Sequence, residues 1–198
     1  MPTKNTAKVK VTNHATAFIL SVTIGHKYSD VYKNTHTFEN IADGSSTADS
    51  FTVEFNTGLT TTGRDWWIVN WIQRREENGE VILEACHTDP TNFRGVIDFS
   101  EYWSKVGLDY AKIAALKAGV VAAPVSGASS VAAGIAAAAT LHLTGMSMNS
   151  ESTDGYKQHI LRESDVRDGV EILIANNGRV LFKSASGESE TTYERRKL

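Results

Sequence analysis

Three short clusters contain residue types that could move protons or hold a metal ion. The first is Gly25-His26-Lys27-Tyr28-Ser29-Asp30, where an imidazole, a phenol and a carboxylate follow an apolar run. His26, Tyr28 and Asp30 could perform acid–base work, or fold their own loop through local hydrogen bonds. The second is Asp65-Trp66-Trp67, with Trp71 four residues on, so three of the four tryptophans sit behind one carboxylate. The third is Cys86-His87-Thr88-Asp89. A thiol beside an imidazole suggests a nucleophile, but neighbours on a strand project to opposite faces and pair poorly. A lone cysteine reads first as a small apolar core residue. His87 and Asp89 would form a metal set only if the fold brought His26 to them. The common phosphate-loop, dinucleotide, zinc-protease and nucleophile-elbow signatures are absent from the sequence.

Positioning these clusters requires strands. Ala7, Val9 and Val11 alternate with Lys8, Lys10 and Thr12, and Phe18, Leu20, Val22 and Ile24 alternate with their neighbours. This period of two predicts half-buried strands, with Asn13-His14 turning between them. Phe51, Val53 and Phe55 mark a third strand, and the aromatic and β-branched run 65–72 a fourth. Asn78-Gly79 predicts a hairpin returning into Val81–Cys86, and Asn176-Asn177-Gly178 another between 170–175 and 179–183. On the 65–72 strand, Trp66 must face away from Trp67 and Trp71. One face is then core, and Trp66 is free to reach a ligand or an interface.

The charge balance excludes some partners. The chain has 198 residues, with 20 Lys and Arg against 23 Asp and Glu. That excludes nucleic-acid binding driven by bulk basicity, and 41% hydrophobic residues exclude general disorder. One cysteine excludes a disulfide framework and a multi-cysteine zinc site. The first residues lack an apolar leader, so a cytoplasmic location is expected. Every Asp, Glu, Lys and Arg lies in 1–117 or 151–198, and none in 118–150. From Leu108 to Leu143 alanine dominates, with Ile113, Leu116 and Val120 at helical spacing and Pro124 and Gly127 as breakers. The stretch is long enough to span a bilayer, but its Ala, Gly and Ser content argues against a resident transmembrane helix. It reads as a helical hairpin that covers the sheet or forms a dimer seam, or, more sharply, as a conditional membrane-insertion element.

The runs Val11-Thr-Asn-His-Ala15, His26-Lys-Tyr-Ser-Asp30, Phe55-Asn-Thr-Gly58, Thr62-Gly-Arg-Asp-Trp-Trp67, Thr88-Asp-Pro90 and Asn92-Phe-Arg94 resemble the PUD domain. That family is named for proteins up-regulated in long-lived nematode mutants. The resemblance covers about residues 7–100, and the hairpin 168–184 shares it. The family in turn resembles aegerolysins, compact β-sandwiches that recognise membrane lipids and join pore-forming partners. The resemblance implies an antiparallel β-sandwich; with the Ala-rich helical hairpin read from the residues as an insertion into it, a mainly β chain is expected. One domain is expected over 1–198: sandwich 7–104, helical insertion 105–145, closing hairpin 165–184 and flexible tail 185–198. The expected function is non-enzymatic binding of a lipid or protein partner through the aromatic strand and adjacent loops. Trp66, Trp67, Trp71, His26, Tyr28, Asp30, Asp65 and His87 are its candidate ligand-binding residues. No cofactor and no metal are expected. Partners would be a lipid, a hydrophobic small molecule, or a second chain in a homo- or heterodimer, with no nucleic acid. The alternative is an enzyme acting on a hydrophobic metabolite between sandwich and insert, with His26, Tyr28, Asp65, His87 and Asp89 as acid–base groups.

Overall fold

The computed structural model describes residues 2–29, 31–58, 61, 63–89, 110–122, 128–149 and 156–198. Asp30, Thr62, Pro90, Asn92 to Arg94, Pro124 and Gly127 lie outside the described residues. The chain runs β1 (Thr3–His14), β2 (Phe18–Tyr28), β3 (Tyr32–Ile41), β4 (Phe51–Thr57), β5 (Asp65–Glu77) and β6 (Glu80–Thr88). Helices α1 (Tyr110–Val121) and α2 (Ser130–Asn149) follow. The short β7 (Lys157–Gln158), the single turn α3 (Asp165–Asp168), β8 (Val170–Ala175), β9 (Arg179–Ser184) and β10 (Gly187–Lys197) complete it.

The strands are ordered β3-β2-β5-β6-β10-β9-β8-β1-β4, and β7 adds to β5. All pairings are antiparallel except β1 with β8. The two ends of this path meet. Glu54 N–H on β4 donates to Asn34 Oδ1 on β3 at 3.0 Å, and the Tyr32 hydroxyl donates to Asn56 Oδ1 at 3.2 Å. His36 and Phe51 stack across the same gap with ring centroids 5.4 Å apart. The chain is therefore mainly β, as expected, but its strands form one sheet that is nearly closed and barrel-like.

Inside the sheet lie Val9, Val11, Ile24, Val53, Phe55, Trp67, Trp71, Ile172 and Phe182, all fully or almost fully buried. The tryptophans dominate, each worth on the order of 5 kcal/mol of apolar burial. Their indole N–H groups are satisfied inside, Trp67 by His159 O at 3.0 Å and Trp71 by Gln73 Oε1 at 2.8 Å.

Three local departures from simple alternation shape the barrel. The β2–β5 register shifts between Ile19 and Ser21, a bulge that inverts the phase. Ile19 joins Val22 and Ile24 inside, while Phe18 and Leu20 turn outward under the helices, so the alternating set Phe18, Leu20, Val22 and Ile24 does not share a face. The Asn78-Gly79 turn has positive φ at both residues (54° and 79°), as a two-residue hairpin needs. In the second hairpin only Gly178 has positive φ (81°), and 176–178 form a three-residue connection instead.

The polar end of the chain is not a flexible tail. Residues Gly187–Thr192 pair with β9 and Tyr193–Lys197 with β6, which joins the two halves of the sheet. The strand is hard to see in the sequence because only Thr191 and Tyr193 are buried, and backbone pairing, to β9 in its first half and β6 in its second, holds the rest. A chain ending after Ala185 should therefore lose its cooperative thermal transition and near-ultraviolet circular dichroism. An unchanged melt would mean that 187–198 is dispensable.

Candidate functional site

The β2–β5 register places His26 opposite Trp67 and Tyr28 opposite Asp65. Alternation then points His26, Tyr28, Asp65, Trp67 and Trp71 into the barrel. His26 Nε2 lies 2.8 Å from Asp65 Oδ1, and both side chains are fully buried. The other ring nitrogen, Nδ1, lies 3.3 Å from Asn34 Oδ1, the atom that also accepts Glu54 N–H. Asp65 Oδ2 accepts Leu161 N–H at 2.9 Å. The His26 ring leans on Trp67 with centroids 4.3 Å apart. Beyond Trp67 stand Phe182 and His159, whose ring nitrogens face Ser189 Oγ at 3.0 Å and Ser184 Oγ at 3.1 Å. Two sequence clusters thus meet as one internal polar cluster that ties β2, β3, β5 and the 159–161 segment together.

This geometry fits a structural role. Tyr28 is 4% exposed and donates to Asn56 O at 3.1 Å, while burial, with the Asp65 charge adding to it, raises its phenol above the usual range. Trp67 and Trp71 have no exposed surface, so the aromatic strand does not present them to a partner. Trp66 faces out as expected, but it is half-buried against Ile68, Met148 and Tyr156. Cys86 is buried in the interior core, and burial pushes its thiol well above the usual range, which keeps it a poor nucleophile. His87 is buried too, and desolvation lowers it from 6.5 to about 4. His159 is lowered for the same leading reason. Among the described residues no group of three or more His, Cys, Asp or Glu could hold a metal ion.

Two open clefts lie elsewhere. One of about 480 Å³ is lined by Lys8, Lys10, Asp168, Glu171 and Lys183, and one of about 370 Å³ by Phe18, Asp43, Arg74 and Arg75, among others. The first is a row of paired charges: Lys10 faces Glu171 at 3.8 Å and Lys183 faces Glu188 at 3.8 Å.

The outer face of β2, β5 and β6 is covered by the two helices. Along α2, Ala132, Ala136, Ala139 and Leu143, with Leu116 and Val120 of α1, pack on Phe18, Leu20, Ile72, Leu83 and Ala85, and Met148 near its end packs on Ile68 and Tyr156. Between these apolar contacts the helix also meets the sheet through polar groups. Thr140 Oγ1 lies 2.9 Å from Thr23 Oγ1 and 3.3 Å from Ser21 Oγ. Asn70 Nδ2 donates to Thr144 Oγ1 at 2.8 Å, and Lys27 Nζ to Ser147 O at 3.0 Å. These partners were not singled out from the sequence, although Thr140, Thr144 and Ser147 stand at helical spacing in an otherwise apolar run. On the solvent-facing side of α2, Val131 is 64%, Leu141 49% and Met146 37% exposed, along with Gly134, Ala138, His142 and Asn149. Val121 at the end of α1 is 66% exposed.

A family model described as "Up-Regulated in long-lived daf-2" matches residues 3–193. The chain belongs to this family. The family match runs through both helices and into β10, beyond the 7–100 stretch and the 168–184 hairpin that carry the sequence resemblance. No curated protein matches the chain.

Two outcomes follow from this geometry. Asp65→Ala leaves His26 buried without its carboxylate and should cost about 3–5 kcal/mol in denaturant unfolding; a loss under 1 kcal/mol would mean the pair is not a brace. For His87, the unfolded chain takes up a proton near 6.5 and the folded chain only near 4. Stability should therefore fall as pH drops through that window, by about 3 kcal/mol from this group. His87→Gln should flatten that part of the pH–stability curve, leaving the smaller slope of His159, and an identical slope would contradict the assignment.

Proposed function

We propose that this chain is a non-catalytic binding module in which the barrel is the scaffold, the uncharged helical layer is the contact surface and a lipid surface is the partner. The observation that carries this reading is the outward side of α2. Val131, Leu141 and Met146 stand exposed on a helix within 118–150, a stretch with no Asp, Glu, Lys or Arg. Val121 adds to them at the adjoining end of α1. Large apolar side chains exposed along a helix with no Asp, Glu, Lys or Arg mark an interaction surface, and lipid accepts them without an ion-pair partner. Trp67 and Trp71 are sealed inside and Trp66 is half-buried against Ile68, Met148 and Tyr156, so this reading places the contact on the helices rather than on the aromatic strand.

The aegerolysin-like resemblance supports the same reading, because that family's sandwiches recognise membrane lipids. In this proposal the nearly closed sheet is a flattened sandwich, its two halves sharing β10. The His26–Asp65 pair is then a brace that keeps the scaffold rigid.

Flotation with phosphatidylcholine vesicles tests the proposal. The wild-type chain should float, and Val131→Glu/Leu141→Glu, both at exposed positions, should reduce the bound fraction at least tenfold with an unchanged thermal melt. Absence of wild-type flotation, or equal flotation of the variant, would overturn it. If the substitutions instead abolish self-association seen by sedimentation velocity without vesicles, the face belongs to a second copy of the chain.

A further inference from the structure

The underside of α2 has features that a permanently docked core helix does not need. Its C-terminal half rests on a polar sheet face made by Ser21, Thr23 and Lys27 of β2 and Asn70 of β5. The helix hydroxyls that meet this face are also bonded within α2. Thr140 Oγ1 donates to Ala136 O at 3.1 Å, and Thr144 Oγ1 to Thr140 O at 2.9 Å. If the helix left the sheet, both hydroxyls would keep an acceptor in an apolar medium. The strip of sheet left behind beneath Thr140, Thr144 and Ser147 is polar, and Thr23 Oγ1 retains Thr37 Oγ1 at 2.7 Å, while Phe18, Leu20, Ile68 and Ile72 on either side of it would be turned to the lipid surface. Water can satisfy Ser21, Asn70 and the Lys27 ammonium.

The helix itself suits hydrocarbon. Twenty residues rise about 30 Å, the thickness of a bilayer core. Among the described residues α2 is the one helix that is long and apolar enough to cross a membrane, and half of its most apolar stretch is buried against the protein. Its packing on the sheet is close at one point. A Cβ at Gly25 would stand 2.8 Å from Thr144 Cγ2 and 2.9 Å from Met148 Sδ, so α2 sits where β2 has no side chain.

We propose that α2 is a releasable element: at a lipid surface it leaves the outer face of β2 and β5 and enters the hydrocarbon. This rests on the lipid reading above and adds the event that follows contact. Detachment exchanges side-chain hydrogen bonds between helix and sheet for water on the sheet and for backbone acceptors on the helix. Lipid takes over the apolar contacts that Ala132, Ala136, Ala139 and Leu143 make with the sheet.

Cross-linking tests the release. Ser21 Oγ and Thr140 Oγ1 are 3.3 Å apart, so Ser21→Cys/Thr140→Cys should bridge when oxidised and pin α2 to β2. With phosphatidylcholine vesicles, the reduced protein should float and stay bound through alkaline carbonate. The oxidised protein should float in neutral buffer and be stripped by carbonate, a difference of at least fivefold. Equal carbonate resistance of the two forms would overturn release while leaving surface binding intact. Failure of both forms and of the wild type to float at all would overturn the lipid reading and the release with it. Gly25→Ala gives an independent check without cysteines. Its wedge beneath α2 should raise the carbonate-resistant fraction several-fold, and an unchanged or lower fraction would overturn the proposal.

Discussion

Strands β2 and β5 have almost no side facing water. Every residue from Phe18 to Tyr28 is buried, as is every residue from Trp67 to Arg74. The inner face is filled by the tryptophans and their apolar neighbours. The outer face is apolar where Phe18, Leu20 and Ile72 lie, polar in its middle at Ser21, Thr23 and Asn70, and apolar again at Ile68 and Trp66. A sheet buried on both sides needs a cover, and the Ala-rich segment provides it. Alanine lets α2 lie close to the strands, and the Thr140, Thr144 and Ser147 contacts fix its register. Covering β2 and β5 does not, however, require the outward side of α2 to lack charge. That feature is the one on which the lipid proposal rests.

The His26–Asp65 pair acts on the same two strands from within. It lies where β2 and β5 meet the 159–161 segment, and Asn34 extends it to the β3–β4 closure. A buried histidine–carboxylate pair resembles acid–base machinery in sequence, but here each polar atom is occupied by a structural partner. The network specifies how the barrel closes, a known use of buried polar groups.

Much of the framework was legible because period-two alternation in β1, β4 and β8 and the aromatic content of β5 are strong local signals. Strand β3 was missed because it is a polar end strand that buries little beyond Phe38 and Ile41. The bulge at Ile19–Ser21 was invisible because alternation continues through it in the sequence while the register shifts in space. For the site, His26 and Asp65 stand out in the sequence as titratable residues beside aromatic ones, but their pairing depends on strand register, which composition does not encode. The tryptophans were assigned to opposite faces correctly. Which face became the interior was decided by β9, β10 and the helices, far away in the chain.

The central claim is that the helical layer, and not the aromatic strand, meets the partner. Hydrogen–deuterium exchange of the full chain with and without phosphatidylcholine vesicles tests it most directly. The account predicts that amides in 130–149 become more protected when vesicles are added while those in 65–72 gain no protection. Unchanged exchange over 130–149, or a gain of protection concentrated in 65–72, would contradict it.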